Sequence, residues 1–347
     1  MIYNGIKFHN TVQLEKKEHL GGLRLHRFPQ EVRHAIGDKG RTKAVQSNNC
    51  ELRFVTEAPT VRVTLSSLET SGKVLVFRGD FFHSSHQLQA GAIQTITLEV
   101  PERFAEVNPE ILSNRAFSQG VWRIFFERFT AVFYDIDAYG YEVRPPQADE
   151  VPRLTFVAYG SSITQGAGAQ SHYNCYVQQA ARRLEVDVLN LGLSGSCLCE
   201  PEIADHIAER SDWDFAFFEL GVNMRSVFTP EEFKSRAGYV LDRAMERHGD
   251  KPIFLTTIYP NRATYFKNDS HAFVDHERKF NEILRNYALQ KNHRQLHLIE
   301  GSEIMTDFTT LTSDLIHPSD YGHLLMGERL AEIMRPVVEQ LRTKHTN

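Results

Sequence analysis

The 347-residue chain is poor in cysteine. It contains four cysteines, Cys50, Cys175, Cys197 and Cys199, which are too few for a disulfide scaffold in a chain of this length. Cys197 and Cys199 are separated by one residue, which is not the usual spacing of zinc ligands. We therefore expect free, buried thiols and no metal site.

The chain also lacks an excess of positive charge and a long apolar run. Its formal net charge is −5, whereas general nucleic-acid binders usually carry a basic excess. No run approaches the roughly 18 apolar residues of a membrane helix. The first seven residues, MIYNGIK, lack the charged-then-apolar layout of a secretory signal peptide. These absences predict a cytoplasmic protein that binds neither nucleic acid nor membrane.

Nucleotide-binding motifs are absent as well. The glycine-containing stretch 160–168 lacks the lysine of a phosphate-binding loop, and the chain has no Gly-x-Gly-x-x-Gly fingerprint. We therefore predict no cofactor. What the chain does have is 41% hydrophobic residues and a length that suits two domains with sizeable cores.

Residues 1–144 have the pattern of an all-β domain. Short segments alternate apolar with polar residues, which is typical of strands with one face on a core and one face in water. Turn signals separate these segments, so the pattern predicts a β-sandwich or jelly roll. The strand candidates are residues 52–56, 61–65, 73–78, 93–98 and 121–126.

The pattern changes after residues 145–152, a segment rich in proline and charge that we interpret as a linker. In residues 153–347, near-continuous apolar segments alternate with helical ones, which predicts a parallel sheet covered on both faces. The strand candidates are 154–158, 186–191, 215–220, 253–258 and 296–299, and the helix candidates are 176–184, 230–247, 276–289 and 321–341.

Four short segments of this second half carry side chains with complementary chemistry. Ser162 follows the first apolar strand, Gly195 the second and Asn223 the third, while Asp314 and His317 precede the last helix. Because the carboxyl ends of parallel strands meet at one edge of the sheet, the first three are expected to lie close together.

These residue types suit nucleophilic attack on an ester. A serine hydroxyl such as that of Ser162 needs a base, and histidine is the usual one, here His317. Asp314, three residues earlier, can fix the tautomer of that histidine. The backbone N–H groups of Gly195 and Ser162 and the side-chain amide of Asn223 can hold an oxyanion.

In identity, order and approximate spacing, the four segments resemble the Ser, Gly, Asn and His blocks of the SGNH (GDSL-like) hydrolase superfamily. With its β-rich first part, the whole chain resembles two-domain SGNH carbohydrate esterases. The resemblance implies a three-layer α/β hydrolase domain with a flavodoxin-like parallel sheet, preceded by an all-β jelly-roll domain. It implies Ser162 as nucleophile, Gly195 and Asn223 as oxyanion donors, and Asp314 and His317 as the other triad members.

The chain departs from the family pattern at two positions. Ser161 stands where the family often has aspartate, and Met224 follows the asparagine where aspartate is common; neither change removes a catalytic atom. We expect Ser161 to be a structural serine and His323 an ordinary helix residue. Glu219, beside the asparagine block, is expected to have a buried structural role.

The implied function is that of a serine esterase, a carboxylic ester hydrolase that removes small acyl groups, above all acetyl, from a carbohydrate. The expected partner is an acetylated carbohydrate or another small ester, and homo-oligomerisation stays open. A lipid or thioester acylhydrolase is an alternative within the enzyme class. A non-catalytic carbohydrate-binding protein with a decayed hydrolase domain is an alternative outside it.

Overall fold

A computed structural model of the protein describes residues 1–16, 21–113 and 116–344. The chain divides into two compact units, each with its own apolar core. The described residues of 1–33 and 44–153 form the first unit, and those of 34–43 and 154–347 form the second.

The first unit is a β-sandwich of two antiparallel sheets. Its described strands are β1 (Ile2–Tyr3), β2 (Ile6–His9), β3 (Gln13–Lys16), β4 (Leu23–His26), β5 (Glu51–Val55), β6 (Thr60–Ser67), β7 (Gly72–Arg78), β8 (Phe81–Leu88), β9 (Ile93–Glu99), β10 (Val121–Phe126) and β11 (Ala131–Asp137). One sheet has the order β1-β2-β5-β10-β7-β8, and the other has the order β3-β4-β11-β6-β9. This architecture confirms the predicted all-β fold.

Alternation along the strands builds the core of the sandwich. In β6, the buried Val61, Val63 and Leu65 alternate with residues that are exposed or partly exposed. Phe8 of one sheet meets Phe133 of the other edge to face, with ring centroids 5.4 Å apart. Apolar side chains from both sheets thus form one core, as the period-two pattern predicts.

The described part of the first 113 residues also contains three short α-helices: α1 (Gln30–Ala35), α2 (Asp38–Ala44) and α3 (Pro109–Ser113). Residues 34–43 group with the second unit, although the sequence places them in the β-rich part. The segment carries its own buried apolar residue, Ile36, which is 1% exposed. The helices of this segment are too short to show an apolar periodicity, so the sequence pattern does not separate them from the neighbouring strands.

Residues 145–152, predicted as a linker, belong to the first unit. The Arg144 guanidinium pairs with the Glu150 carboxylate through two hydrogen bonds of 2.7 and 2.8 Å. The N–H of Gln147 donates to the same carboxylate, and the N–H of Ser118 donates to the Glu150 carbonyl. The prolines and charges therefore mark a hydrogen-bonded turn of the sandwich.

The second unit contains a five-stranded parallel sheet flanked by helices. Its strands are β12 (Thr155–Tyr159), β13 (Asp187–Asn190), β14 (Phe215–Glu219), β15 (Ile253–Thr256) and β16 (Leu296–Ile299). Its remaining helices are α4 (Ser162–Gln165), α5 (Tyr176–Leu184), α6 (Pro201–Glu209), α7 (Pro230–Arg247), α8 (Ala272–Lys291), α9 (Gly301–Ile304) and α10 (Asp320–Lys344). The strand order β13-β12-β14-β15-β16 is the flavodoxin-like one that the sequence predicts.

Burial explains why the strands of this sheet could be recognised from apolar runs. Every residue of β14 and β15 is buried, because helices cover the sheet. Helix α5 packs against α10, and α6 packs against α7. No helix in the described residues is long and apolar enough to cross a membrane. All four cysteines are buried, as predicted, and none of these described residues is in a disulfide.

The strand order also determines where the loops meet. Strand β12 lies between β13 and β14, so the chain leaves the sheet in opposite lateral directions from this pair of strands. Ligands of such sheets bind at this switch point, outside the carboxyl ends of the strands. The segments that follow β12, β13 and β14 carry Ser162, Gly195 and Asn223, respectively.

Candidate active site

Ser162 is the first residue of α4, three positions after the end of β12. The side chain of Ser161 caps this short helix by accepting a hydrogen bond from the N–H of Ile163. Ser161 is therefore the structural serine of the pair, as predicted. The Ser162 side-chain oxygen lies 2.7 Å from Nε2 of His317.

The loop between Thr312 and His317 presents the imidazole to Ser162. His317 Nδ1 lies 2.6 Å from one carboxylate oxygen of Asp314. The other oxygen accepts from the N–H groups of Ile316 and His317 and from the Thr312 hydroxyl. Because a carboxylate only accepts, Nδ1 carries the proton and Nε2 is left to accept from the Ser162 hydroxyl.

The hydrogen bonds around Asp314 hold this carboxyl in its ionised form. Partial burial raises its pKa, but donation from the His317 ring, the two backbone N–H groups and the Thr312 hydroxyl outweighs that effect. The pKa of Asp314 is therefore held below its ordinary range. An anion beside Nδ1 stabilises the imidazolium that forms when His317 takes a proton.

Gly195 and Asn223 lie beside this chain of hydrogen bonds. Gly195 has φ +64°, a left-handed conformation that glycine adopts without a steric penalty. The Asn223 side-chain oxygen accepts from the N–H of Cys197 at 3.2 Å. This contact fixes the orientation of the amide and leaves its NH₂ group available to donate.

Helix α4 and the loop after β13 are tied together by two buried amides. The Gln165 side-chain oxygen accepts from the N–H of Ser194, the neighbour of Gly195, at 2.7 Å. Asn190 donates from its side chain to the carbonyl of Thr164 at 2.7 Å. These bonds hold the turn that begins with Ser161 and Ser162 (the serine turn) in a fixed position relative to the loop that carries Gly195 (the glycine loop).

Glu219 stabilises the serine turn through hydrogen bonds to its carboxylate. One of its carboxylate oxygens accepts from the N–H and hydroxyl of Ser161, both at 2.7 Å, and from the Thr164 hydroxyl at 3.1 Å. Burial raises the pKa of Glu219 to about 7, although these donors act in the opposite direction. The predicted buried role is confirmed, and the contacts place it directly at the turn that presents Ser162.

His323, which lies near His317 in sequence, has an ordinary helical position. It is fully buried in α10 and hydrogen-bonds through Nε2 to the Ala167 carbonyl at 3.0 Å, while Nδ1 accepts from the N–H of Tyr176. Burial lowers its pKa to about 4. The expectation of an ordinary helix residue is confirmed.

A cavity of about 290 Å³ opens at these residues, and Ser162, Gly195, Asn223 and His317 all line it. The four separated sequence blocks therefore meet in one place. A hydroxyl hydrogen-bonded to an imidazole, beside amide donors, is an arrangement able to attack a carbonyl group. No group of His, Cys, Asp and Glu side chains able to hold a metal ion occurs among the residues that the structure describes.

Three cations also line the cavity. Arg225 follows the Asn223 block, whereas Lys39 and Lys43 belong to α2, more than 100 residues earlier in the chain. Only the three-dimensional fold brings α2 to the cavity. No local motif marks these lysines in the sequence.

Comparisons with known proteins identify a sequence family and solved structures of similar fold. The sequence model of the GDSL-like lipase/acylhydrolase family matches residues 154–339. No curated protein matches the sequence at a significant level.

Among solved structures, a salicylyl-acyltransferase from a tetracycline biosynthetic pathway (SsfX3) has a TM-score of 0.79 at 15% identity, covering 96% of this chain and 95% of that chain. A family two carbohydrate esterase from Cellvibrio japonicus has a TM-score of 0.64 at 12% identity, covering 98% of this chain and 97% of that one. A family two carbohydrate esterase from Clostridium thermocellum has a TM-score of 0.62 at 15% identity, covering 96% and 99%.

These structural similarities concern the fold, and they extend over both units of the chain. The family match covers more than half of the sequence and spans Ser162, Gly195, Asn223, Asp314 and His317. The resemblance to SGNH hydrolases is confirmed: the chain belongs to the GDSL-like lipase/acylhydrolase family.

Proposed function

We propose that this protein is a serine esterase that removes small acyl groups, with acetyl as the preferred group, from a carbohydrate. The observation that carries the proposal is the continuous hydrogen-bonded chain from Ser162 through His317 to Asp314 at the cavity. A serine in this arrangement has both a base to take its proton and a carboxylate to stabilise the resulting cation.

In the first half of the proposed reaction, the Ser162 oxygen attacks the ester carbonyl carbon while its proton passes to Nε2 of His317. The carbonyl oxygen gains the negative charge and is held by the N–H groups of Ser162 and Gly195 and by the Asn223 amide. Removing one such donor costs about 3–4 kcal/mol of transition-state stabilisation. The C–O bond to the alcohol then breaks, and His317 returns the proton to the departing oxygen.

In the second half, water attacks the acyl-enzyme and gives a proton to His317. The same donors hold the new oxyanion. The bond to Ser162 breaks, the carboxylic acid leaves, and the serine recovers its proton from His317. Each residue acts twice, and the cycle returns the site to its starting state.

The preference for a small acyl group is supported by the size of the cavity. A volume of about 290 Å³ is near the lower limit of small-molecule pockets, so it suits a short acyl chain better than a fatty one. The assignment of the alcohol to the carbohydrates is supported by the carbohydrate esterases among the structures of similar fold.

Substitution of the nucleophile tests this function. We expect Ser162→Ala to lower kcat for an activated acetyl ester by at least about 10³-fold, because the nucleophilic oxygen is lost. Wild type and Ser194→Ala, which removes a hydroxyl from the same cavity, should both be labelled by a fluorophosphonate, and Ser162→Ala should not. Undiminished turnover by a correctly folded Ser162→Ala protein would contradict the proposal, and an unlabelled wild type would favour the non-catalytic alternative.

Acyl transfer is a second candidate, because the salicylyl-acyltransferase fold covers almost the whole chain. A hydroxyl group of an acceptor would replace water in the second half of the reaction. The same assay distinguishes the two, since adding an alcohol acceptor yields a new ester only when transfer competes with hydrolysis. Free acid as the sole product across a panel of sugar and phenol acceptors would leave hydrolysis as the function.

A further inference from the structure

The ammonium group of Lys39 lies against the glycine of the proposed oxyanion site. A β-carbon built on Gly195 would be 2.6 Å from Lys39 Nζ. Since the Cα–Cβ bond is about 1.5 Å long, Nζ is within about 4 Å of the Gly195 α-carbon. Lys39 is an exposed residue. In the described parts of the chain, no carboxylate lies within ion-pair distance of its ammonium group.

The charge around the cavity is one-sided. Lys39, Lys43 and Arg225 line it, and no aspartate or glutamate does so among the described residues. The positive charge of Arg225 is neutralised, because its guanidinium pairs with the buried Glu277 carboxylate. The same guanidinium also donates to Asn261. The Lys39 ammonium group therefore supplies a positive charge at the cavity.

The two lysines are four residues apart on one short helix, so they lie on the same face. Like charges at this spacing destabilise a helix by about 0.2–0.5 kcal/mol, so the arrangement is unfavourable for α2 alone. Arg41 of the same helix behaves differently, because its guanidinium is 3.6 Å from Asp38 and donates to the His34 carbonyl. Of the cations of α2, Lys39 and Lys43 line the cavity and Arg41 does not.

We propose, on the basis of the esterase function above, that the natural substrate is an ester that carries a carboxylate close to the reacting carbonyl, and that Lys39 and Lys43 bind this carboxylate. The anion belongs either to the acyl group, as in a succinyl ester, or to the alcohol, as in an acetylated uronic acid. An ammonium group is a compact point charge with three donors, so it accepts a carboxylate from a range of directions.

Matched ester pairs test this inference. On the alcohol side, the pair is an O-acetylated methyl glucuronoside and the corresponding methyl glucoside. On the acyl side, the pair is the 4-nitrophenyl esters of succinic acid and butyric acid. In wild type, we expect kcat/KM for the anionic member of one pair to exceed that of the neutral member about fivefold to tenfold, as for one or two partly exposed charge pairs.

Variants then assign the preference to the lysines. The ratio of kcat/KM for the anionic and neutral esters should fall about fivefold in Lys39→Gln and further in Lys39→Gln/Lys43→Gln, and it should be retained in Lys39→Arg. Arg41→Gln is the matched control, because it removes one positive charge from the same helix outside the cavity. In wild type, about 0.5 M NaCl should also reduce the ratio through screening, a test that requires no variant.

The outcomes separate this inference from the proposed function. The pair that shows the preference tells whether the carboxylate belongs to the acyl group or to the alcohol. If wild type cleaves neutral esters through Ser162 with no preference for an anionic one, or if Arg41→Gln lowers the ratio as much as Lys39→Gln does, the lysine site is overturned and the esterase remains. If wild type cleaves no ester and Ser162 is not labelled, the proposed function itself fails.

Discussion

At the scale of single residues, the tautomer of His317 decides whether Ser162 can react in the proposed mechanism. The Asp314 carboxylate oxygen 2.6 Å from Nδ1 keeps the proton on that nitrogen and Nε2 free to accept. Asp314 is itself held by the Thr312 hydroxyl and two backbone N–H groups, so it needs no contact outside its own loop.

Asp314→Asn tests this role. An asparagine amide in place of the carboxylate stabilises the wrong tautomer, so we expect kcat for an activated acetyl ester to fall about 10³–10⁴-fold. Thr312→Val is a matched control, because it removes only one of the donors to the other carboxylate oxygen and should lower kcat at most about tenfold. An equal fall in kcat in the two variants would indicate that kcat depends on the loop conformation and not on the tautomer of His317.

Glu219 is a second residue whose protonation has a measurable effect. Burial raises its pKa to about 7 from an ordinary value of 4.5. At a pH between 4.5 and 7, Glu219 therefore keeps its proton in the folded protein but has lost it in the unfolded chain. The free energy of unfolding contributed by this group is therefore largest below pH 4.5 and declines by up to about 3 kcal/mol as the pH rises to 7.

We expect Glu219→Gln to remove this decline, because glutamine has no proton to release. Denaturant titrations at several pH values should give a difference in the free energy of unfolding between wild type and variant that changes over this pH range. The buried His323 titrates in both proteins, so its contribution cancels in the difference. Parallel pH profiles for the two proteins would contradict the prediction.

At the scale of elements, the position of the glycine loop depends on close contact with α4. A β-carbon on Gly192 would lie 2.4 Å from the backbone nitrogen of Gln165, and backbone cannot move aside as a side chain can. The N–H of Gly192 is also bound by the Asn190 side chain at 2.9 Å. The loop that carries Gly195 therefore lies directly on the helix that begins with Ser162.

Gly192→Ala should separate these two elements. We expect a loss of about 1–3 kcal/mol in the free energy of unfolding and a fall in kcat larger than the change in KM, because Gly195 moves away from the reacting carbonyl. Gly238→Ala is the matched control. Gly238 lies in the middle of α7, and a β-carbon there would be 3.9 Å from the Tyr287 ring, an ordinary contact distance. Because alanine favours a helix more than glycine does, this substitution should stabilise the protein by about 0.5–1 kcal/mol. An unchanged kcat in a destabilised Gly192→Ala protein would contradict the proposed coupling of loop and helix.

At the scale of the whole molecule, much of the fold could be predicted because it follows from local patterns. The apolar runs of β14 and β15 mark strands that are buried on both faces, and α5 and α7 have the predicted bounds 176–184 and 230–247. Strand β8 could not be recognised, because its sequence FFHSSHQL is polar and most of it is exposed or half-buried. A strand at the edge of a sheet has little apolar periodicity to reveal it.

The site could be predicted in part for the same reason. Ser162, Gly195 and Asn223 each follow an element that has a clear local pattern, so a parallel sheet brings them together. The contacts of Glu219 with Ser161 and of Lys39 with Gly195 depend on tertiary packing. No spacing rule connects residues 39 and 195, and the proposed lysine site can therefore be recognised only in the three-dimensional structure.

The grouping of residues 34–43 with the hydrolase unit has a consequence for how such chains can be recombined. A gene-level exchange at residue 152 would appear to swap only the β-sandwich, yet it would also replace the ten residues that carry Lys39 and Lys43. If the lysines set the substrate charge preference as proposed, that preference would be inherited with the amino-terminal half and the proposed nucleophile with the carboxy-terminal half. If the proposed lysine site holds, recombination at this junction would change ester specificity without a single change in the catalytic blocks.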